Sequence, residues 1–447
     1  MTPQPSPTGV EPGELARLHG EHVAALAAGY AQALAESGWD AVLVHAGTPR
    51  SRSVFDDQFW PLRVTPHFQH WLPLAVADCA LLVEPGRAPA LFHNTERGFW
   101  EGPSQPETDH FWAAFAVTPV FAPDRVKDLL PAGRRVAFVG EDAARAAGWG
   151  FAAEAQNPAP LVAALDRLRT RKTGYEVRCL AEANRRAAAG HRRVRQAFQD
   201  GDEAELDLHL LYLAATRQDD AETPYKNIVA LGAHAATLHH VSYDRRPAGA
   251  QALLLDAGAT YQGYHSDITR TAVKGAGAAA DLFAALVARL EALQQEMCRR
   301  VAPGVPYERL HDQSHELLAP ILRELGLARA SDDELVGGGV TRAFYPHGLG
   351  HSLGLQTHDV GCAVVRPRAD NPFLRNTSVV TPGQVFTIEP GCYFIASLLA
   401  ELRAGPRGAC VDWAQVDVLR PMGGVRIEDD LVVGDAGVRN LTREVLP

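Results

Sequence analysis

The stretch LLLDAGATYQGYHSDITRT, which begins at Leu253, has an aspartate on each side of a predicted hairpin, and this restricts how the chain can fold. If the chain reverses around Tyr261 and Gln262, Asp256 and Asp267 face each other. Opposite residues of an antiparallel pair lie about 4.5–5.5 Å apart at Cβ. Two carboxylates at that distance repel each other unless a cation lies between them or one of them carries a proton. The hairpin therefore predicts either half of a metal site or a proton-sharing dyad.

Length and charge limit the classes of protein that fit. The chain has 447 residues, enough for two or three domains with a sizeable core. Its formal net charge of -10 argues against a protein that holds nucleic-acid phosphates, because such proteins normally display a basic face. We therefore expect no nucleic-acid partner.

The cysteines and the N-terminus predict a cytoplasmic protein. The six cysteines are dispersed and form no C-x-x-C pair, which is typical of reduced thiols. The opening segment MTPQPSPTGVEPGEL has neither the charged nor the apolar region of a secretory signal. No apolar run approaches the ~18 residues of a membrane span, so no membrane partner is expected.

Residues 1–170 have the pattern of an α/β domain. ELARLHGEHVAALAAGYAQALAESG predicts a helix that ends at Gly38, and DAVLVHAG predicts the strand after it. CALLVEPGRAPALFHN predicts two strands joined by a Pro-Gly turn, and RRVAFVGED predicts another strand before an Ala-rich helix. We place the domain boundary at the segment RTRKTG.

Residues 171–447 have the pattern of an α+β domain, in which helices and strands are segregated along the chain. Helices are predicted over 175–198, about 278–300 and 307–325. The segment YPHGLGHSLGLQTHDVG contains His347, His351 and His358, and its glycines favour strand and loop over a helix. Taken singly, each histidine has the ordinary interpretation of a core or surface residue.

Two later strands place acids where a hydrophobic residue would be expected. QVFTIEPG ends an alternating apolar run on Glu389, and Pro390 favours an extended conformation at that glutamate. GGVRIEDDLVV puts Arg426 and Glu428 on one face of a strand. Glu389, Glu428, the hairpin aspartates and a histidine together form an oxygen-rich ligand set with one imidazole. Such a set suits two divalent cations such as Mn²⁺ better than a structural zinc. The four carboxylates also balance the charge of two dications, which favours the metal site over the proton-sharing dyad.

Four segments in this order closely resemble the proline dipeptidases (prolidases) of the metallopeptidase group that includes aminopeptidase P and methionine aminopeptidase. They are LLLDAGATYQGYHSDITRT, PHGLGHSLGLQTHDVG, TIEPGCYF and GGVRIEDDLVV. FDDQFWPLRVTPHFQHWLPL in the N-terminal half resembles bacterial prolidases and the related organophosphorus acid anhydrolases. The resemblance implies a creatinase-like α/β N-terminal domain followed by an α+β pita-bread catalytic domain.

The same resemblance implies roles for individual residues. It implies two divalent metal ions, Mn²⁺ by expectation, a bridging hydroxide that attacks the bond before proline, a small dipeptide substrate and a homodimer. The implied metal ligands are Asp256, Asp267, His351, Glu389 and Glu428. Catalytic roles are implied for Glu389, His358, His239 and His347, and substrate-binding roles for Arg375, Arg426, Tyr225 and, across the dimer, Asp57.

Three positions depart from the family pattern, and three other functions remain as alternatives. His240 stands where relatives usually have Tyr, Thr357 replaces a common Val, and Ser378 replaces an Arg of many bacterial relatives. These departures concern the shape of the pocket. The alternatives are an Xaa-Pro aminopeptidase that accepts longer peptides, a phosphotriester hydrolase, and a metal-free pita-bread binding module, which would have lost ligands that this chain retains.

Overall fold

The computed structural model describes residues 12–96, 106–247 and 249–447. The chain divides into two compact units, Met1–Cys179 and Leu180–Pro447. The boundary placed after residue 170 from the sequence stays a prediction. None of the helices in the described segments is both long and apolar enough to cross a bilayer.

The α-helices confirm the main helical predictions. The predicted helix over 278–300 is present at those bounds, and the first helix ends just before Gly38, whose φ of 74° breaks the helical path. In the described residues the helices are α1 (Pro12–Ser37), α2 (Pro66–Gln69), α3 (Ala143–Gly148), α4 (Ala159–Arg169), α5 (Gly174–Asp200), α6 (Glu205–Thr216), α7 (Ala278–Arg300), α8 (Tyr307–Glu324), α9 (Asp332–Gly337), α10 (Val340–Phe344), α11 (Ala396–Ala404) and α12 (Trp413–Leu419).

The strands fall into five sheets in the described residues, one in the first unit and four in the second. They are β1 (Ala41–His45), β2 (Ala80–Val83), β3 (Ala90–Asn94), β4 (Ala116–Val120), β5 (Val136–Val139), β6 (Ile228–Leu231), β7 (Ala252–Asp256), β8 (Thr260–Tyr261), β9 (Tyr264–His265), β10 (Thr269–Val273), β11 (Val385–Ile388), β12 (Gly391–Tyr393), β13 (Gly424–Arg426), β14 (Asp429–Gly434) and β15 (Gly437–Asn440).

The first unit is built on a mixed sheet with the strand order β4-β3-β2-β1-β5. Its central strand β1 pairs with β2 antiparallel and with β5 parallel. Alternate residues of β1 enter two different apolar cores. Val42 and Val44 pack with Trp71 on one face, whereas Leu43 packs with Phe138 on the other. Because both faces are buried, β1 is aliphatic almost throughout.

The second unit has its principal core between α7, α8 and the strands that carry the acids. Its sheets have the orders β10-β7-β6, β11-β14-β15, β12-β13 and β8-β9. The histidine segment was predicted to be strand and loop; residues 345–384 contain no helix, as expected, but they form loop without a strand. One bridge, between Ser352 and Phe386, ties this segment to β11.

The hairpin register predicted from the sequence is wrong by two residues. Asp256 lies opposite Thr269, not opposite Asp267. The chain reverses one residue later than predicted, because Gln262 and Gly263 adopt the positive φ angles of 51° and 85° that a two-residue hairpin turn requires. Since side chains alternate with a period of two, Asp267 still faces the same side as Asp256, as its diagonal neighbour.

Candidate metal centre

Five donor side chains come from separate segments of the chain and meet in the second unit. Asp256 ends β7, Asp267 lies two residues before β10, Glu389 follows β11, and Glu428 lies between β13 and β14. A bridge between Thr269 and Glu428 joins the two halves of the site. The fifth donor, His351, is anchored to β11, because its backbone N–H donates to Thr387 Oγ1 at 3.1 Å and Thr387 N–H donates to its carbonyl at 2.9 Å.

The His351 ring is surrounded by three of the four acids. Its Nε2 lies 3.3 Å from Asp267 Oδ2, 3.6 Å from Glu389 Oε1 and 3.9 Å from Glu428 Oε1. His351 Nδ1 lies 3.1 Å from the carbonyl of Ser352, to which it donates if that nitrogen carries the proton. That tautomer leaves Nε2 with a lone pair directed at the acids.

Asp256 is linked to the same cluster through Tyr225. The Tyr225 hydroxyl lies 2.7 Å from Asp256 Oδ1 and 2.5 Å from Asp267 Oδ1, so it bridges the two hairpin aspartates. The other Asp256 oxygen forms an ion pair of 2.5 Å with Arg426 Nη2. All five sequence-predicted ligands are thus within one connected group of buried or half-buried side chains.

Burial and the neighbouring charges change the ionisation of the cluster. Burial, together with the neighbouring carboxylates, raises the pKa of Asp267 and Glu428 and raises the pKa of Glu389 to about 7. Burial alone would lower the pKa of His351, but its contacts with Asp267 and Glu389 raise that pKa to about 9. Such shifts are expected where several acids share a desolvated space.

All three guanidinium nitrogens of Arg426 contact protein groups. Besides its ion pair with Asp256, Nη1 donates to the Tyr393 hydroxyl at 2.9 Å and Nε donates to Thr269 Oγ1 at 3.2 Å. The side chain is buried. The role predicted for Arg426, binding of a substrate carboxylate, stays a prediction, and the structure shows no free edge of its guanidinium that would favour it.

His347 is also held on both ring nitrogens. Its Nδ1 lies 2.8 Å from the Gly348 carbonyl and its Nε2 lies 2.8 Å from the Tyr393 hydroxyl. Burial and the nearby Arg426 lower the pKa of His347 to about 3. The ring is therefore neutral, with Nδ1–H donating to the carbonyl and Nε2 accepting from Tyr393, and its place is behind Glu389, whose Oε2 lies 3.8 Å from Nδ1.

Three of the remaining predicted residues are accessible to solvent. His239, His358 and Arg375 are exposed. The ring of His358 stands edge-on to His351 at a centroid distance of 4.4 Å. Partial burial and the charges of His351, Arg375 and His239 lower the pKa of His358, so these three side chains lie within electrostatic reach of His358. This accessible group borders the cluster of donors.

The other positions singled out from the sequence have defined surroundings. Thr357 Oγ1 lies 3.1 Å from His265 Nδ1, and Ser378 is buried with its hydroxyl 2.8 Å from Asn376 Oδ1. In the first unit, Asp57 is exposed and accepts from the side-chain amide of Gln58 at 3.0 Å.

Sequence reasoning missed the residues that orient the ligands. Thr269 donates to Glu428 Oε2 at 2.6 Å, and Asp430 accepts the backbone N–H of Asp267 at 3.1 Å. Asp430 is in turn held by Asn184 Nδ2 at 2.8 Å. The run of acids in RIEDDLVV was a usable signal for Asp430, because a third consecutive acid in a buried strand needs a partner.

The donor set fits divalent cations. Four carboxylates and one imidazole present oxygen-rich ligands, and one donor atom each of Asp267, His351 and Glu428 lies within 4.8 Å of the other two. Burial is the main cause of the raised pKa values of Asp267, Glu389 and Glu428, and the neighbouring carboxylates add to it. Cations would supply positive charge beside these acids.

Comparison with known proteins defines the class. The model of metallopeptidase family M24 matches residues 178–435, and the model of the Xaa-Pro dipeptidase N-terminal domain matches residues 17–167. In fold, the chain is similar to zinc-substituted aminopeptidase P from E. coli in complex with product, with a TM-score of 0.71, 24% identity, and 98% of this chain and 96% of that chain covered. It is likewise similar to proline aminopeptidase P II from Yersinia pestis, with a TM-score of 0.71, 23% identity, and coverage of 95% and 96%. The fold is that of a pita-bread metallopeptidase.

Relatives that match nearly the whole length of the chain define its group within this class. The chain is 39% identical over 438 residues to the Xaa-Pro dipeptidase of Stenotrophomonas maltophilia strain K279a, covering 95% of this chain and 96% of the relative. It is 37% identical over 443 residues to that of Pseudoalteromonas atlantica, covering 97% and 99%, and 39% identical over 443 residues to that of Yersinia pseudotuberculosis serotype O:1b, covering 96% and 99%. The chain belongs to metallopeptidase family M24, among the Xaa-Pro dipeptidases.

Proposed function

We propose that this protein hydrolyses Xaa-Pro dipeptides with the help of two divalent cations, Mn²⁺ by preference. The observation that carries the proposal is the convergence of four acids around His351, beside an exposed group formed by His239, His358 and Arg375. Asp256, Asp267, His351, Glu389 and Glu428 are the residues that would hold the cations. Such cations polarise a carbonyl oxygen and make a water molecule acidic enough to attack near neutral pH.

The chemistry of the Xaa-Pro bond makes it a suitable substrate for a metal-assisted attack. The peptide bond before proline has no N–H, so a site that gripped that group would gain nothing. The reaction adds the oxygen of water to the carbonyl carbon and breaks its bond to the proline nitrogen. The released proline nitrogen has to receive a proton, which the protein must deliver.

Glu389 is the best placed of the four acids to carry that proton. Asp256, Asp267 and Glu428 are buried, whereas Glu389 is only half-buried and therefore reachable from the side of the substrate. We propose that Glu389 takes a proton from the attacking water and transfers it to the proline nitrogen. The neutral His347 donates its Nδ1 proton to the Gly348 carbonyl and lies beside this carboxylate, with Nδ1 3.8 Å from Glu389 Oε2.

Arg375 is proposed to bind the carboxylate of the proline residue. Its side chain is exposed, and within the described residues it makes no ion pair or hydrogen bond. A guanidinium without a protein partner suits the planar, bidentate recognition of a carboxylate. His239 and His358, which lie within electrostatic reach of each other, are proposed to donate to the carbonyl oxygen as charge develops on it.

The choice between dipeptides and longer peptides tests this assignment. With Mn²⁺ present, we expect the protein to cleave Xaa-Pro dipeptides and to leave Xaa-Pro-Yaa tripeptides largely uncut. Arg375→Ala should raise KM for the dipeptide roughly 10- to 100-fold, the loss expected for a hydrogen bond to a charged group, with a smaller effect on kcat. Steady-state kinetics on both substrates measure this.

A neighbouring arginine provides the matched control. Arg366 is exposed in the same loop region, so Arg366→Ala removes an equal charge and should leave KM unchanged. A dipeptide with an amidated C-terminus should be affected by neither substitution. Efficient cleavage of tripeptides by the wild-type protein would instead favour an Xaa-Pro aminopeptidase.

We further propose a homodimer in which Asp57 of one protomer reaches the partner's pocket and binds the substrate ammonium. Support comes from the first unit, where Val54, Phe55, Phe59 and Trp60 expose between 56% and 95% of their surface beside Asp57. Exposed apolar side chains that cluster in this way are typical of an interface.

Mixing two inactive variants tests the shared site. We expect Asp57→Ala and Asp267→Asn each to be nearly inactive, and a 1:1 mixture to regain about a quarter of wild-type activity, because random pairing makes half the dimers mixed and each mixed dimer has one intact site. Asp56→Ala is the matched control and should be active alone. An active monomer, or no recovery after demonstrated subunit exchange, contradicts the proposal.

A cytoplasmic location is also proposed. Cys79, Cys298, Cys362, Cys392 and Cys410 are free thiols, and three of them are buried in the structure. Unpaired thiols in that number are typical of proteins that work in a reducing compartment.

A further inference from the structure

A second cluster of metal-binding side chains lies in the same unit, apart from the five donors described above. Glu205, at the start of α6, faces His234 and His240. His234 Nδ1 lies 2.7 Å from Glu205 Oε1, and His240 Nε2 lies 2.9 Å from Glu205 Oε2. The two imidazole rings are stacked, with centroids 4.5 Å apart.

The carboxylate of this cluster is held in place by the backbone. Leu231 N–H donates to Oε1 and Asp244 N–H donates to Oε2, both at 2.9 Å. These bonds also lower the pKa of Glu205 against the effect of its burial, so the group is a carboxylate. Ligands oriented by such backbone bonds lose little freedom when they bind a cation.

We propose that Glu205, His234 and His240 form a binding site for one transition-metal dication of the zinc class. One nitrogen of each ring and one oxygen of the carboxylate lie within 4.8 Å of one another. A tetrahedral site with bonds of 2.0–2.2 Å would separate its ligand atoms by about 3.3 Å, so the rings would have to move away from their present hydrogen bonds to Glu205. The site is open on one side, because 44% of the His234 side chain is exposed, against 12% for His240 and 1% for Glu205.

Protons and charge balance without a further reactant. In the hydrogen-bonded cluster, His234 carries its proton on Nδ1 and His240 on Nε2, since a carboxylate only accepts. To bind a cation, each neutral ring presents a lone pair at that nitrogen and carries its single proton on the other one. No proton is lost, and the site changes from a net charge of -1 to +1.

The donor types distinguish this site from the cluster of four acids. Two imidazoles and one carboxylate suit zinc, cobalt, nickel or copper ions, which bind nitrogen more tightly than manganese does. The oxygen-rich cluster around His351 has the opposite preference. The new site would also fix the segment that carries His239, because His239 directly precedes His240.

Crystals of the manganese-loaded protein soaked in Zn²⁺ test the proposal directly. Anomalous difference maps from data collected on both sides of the zinc absorption edge should show a zinc peak between Glu205, His234 and His240. Equilibrium dialysis at fixed free Zn²⁺, followed by elemental analysis, should then show one zinc fewer per chain in His240→Tyr and in His234→Gln than in the wild type. Both variants retain a hydrogen-bond donor for Glu205.

A histidine–carboxylate pair elsewhere provides the control. His67 Nε2 lies 3.0 Å from Asp166 Oδ1, and within the residues that the structure describes this pair belongs to no metal-binding group of three, so His67→Gln should keep the wild-type zinc content. Melting temperatures measured with a chelator show whether each variant is folded, and the wild-type crystals give an answer even if a variant is not. The absence of a zinc peak at the cluster, or equal zinc content in the wild type and the folded variants, overturns the proposal. Xaa-Pro cleavage by the manganese-loaded enzyme is a separate readout, which tests only the proposed function.

Discussion

Hydrolysis of Xaa-Pro dipeptides is expected to stop when a chelator strips the protein of divalent cations, and to return when Mn²⁺ is added. The groups that face the His351 ring are carboxylates, which can hold a proton but do not by themselves acidify a water molecule. The attacking water therefore needs cations to acidify it. The measurement is the rate before chelation, after chelation and after Mn²⁺ is restored.

Removing one ligand should have a comparable effect. Glu428→Gln removes a buried charged donor that Thr269 holds at 2.6 Å, and we expect it to lower both the manganese content and kcat/KM. The loss should exceed the ~10- to 100-fold that is typical of residues which only orient a ligand. Elemental analysis and kinetics on the same preparation separate lost metal from lost chemistry.

A surface glutamate serves as the control for this substitution. Glu444 is half exposed and pairs with Arg439 at 3.0 Å, so Glu444→Gln removes the same charge and should change neither metal content nor rate. Full activity in metal-free protein, or a Glu428→Gln variant with normal metal content and normal rate, would show that the cluster is not the reaction centre.

The strands and the acids at their ends were predictable from sequence because both signals are local. An aliphatic run that stops at an acid marks a strand entering a polar site, as at Asp256 and Glu389, and the N-terminal strands followed from short aliphatic runs. The hairpin register was missed by two residues because it depends on the turn conformation of Gln262, a residue that seldom adopts positive φ. Because side chains alternate with a period of two, a register error of two residues still left both aspartates on the same side of the hairpin.

The sequence did not show which distant segments come into contact. Tyr225 bridges Asp256 and Asp267 across 31 and 42 positions, and Arg426 meets Asp256 across 170. The pairing of Glu205 with His234 and His240 likewise depends on how α6 packs beside β6. No periodicity encodes such contacts, since they arise only when the core closes.

Gly350→Ala is expected to damage both the fold and the metal centre. A Cβ atom at this position would lie 2.1 Å from the Thr387 carbonyl oxygen and 2.5 Å from the Tyr307 hydroxyl. Neither can move freely, because Tyr307 and Thr387 are buried and the Tyr307 hydroxyl donates to that carbonyl at 2.8 Å. The segment bearing His351 would have to shift away from β11, to which His351 is hydrogen-bonded through both its backbone N–H and its carbonyl.

We expect the free energy of unfolding to fall by about 3 kcal/mol, at the upper end of the cost of overpacking, and metal binding to weaken because His351 leaves the acids. Denaturant unfolding and manganese content measure the two effects. Gly337→Ala is the matched control: the glycine is exposed at the end of α9, its added Cβ would meet no atom within 4 Å, and both quantities should stay as in the wild type. If Gly350→Ala unfolds and binds metal like the wild type, the close approach of Gly350 to β11 does not position His351, and the anchoring of that ligand has to come from the Thr387 bonds alone.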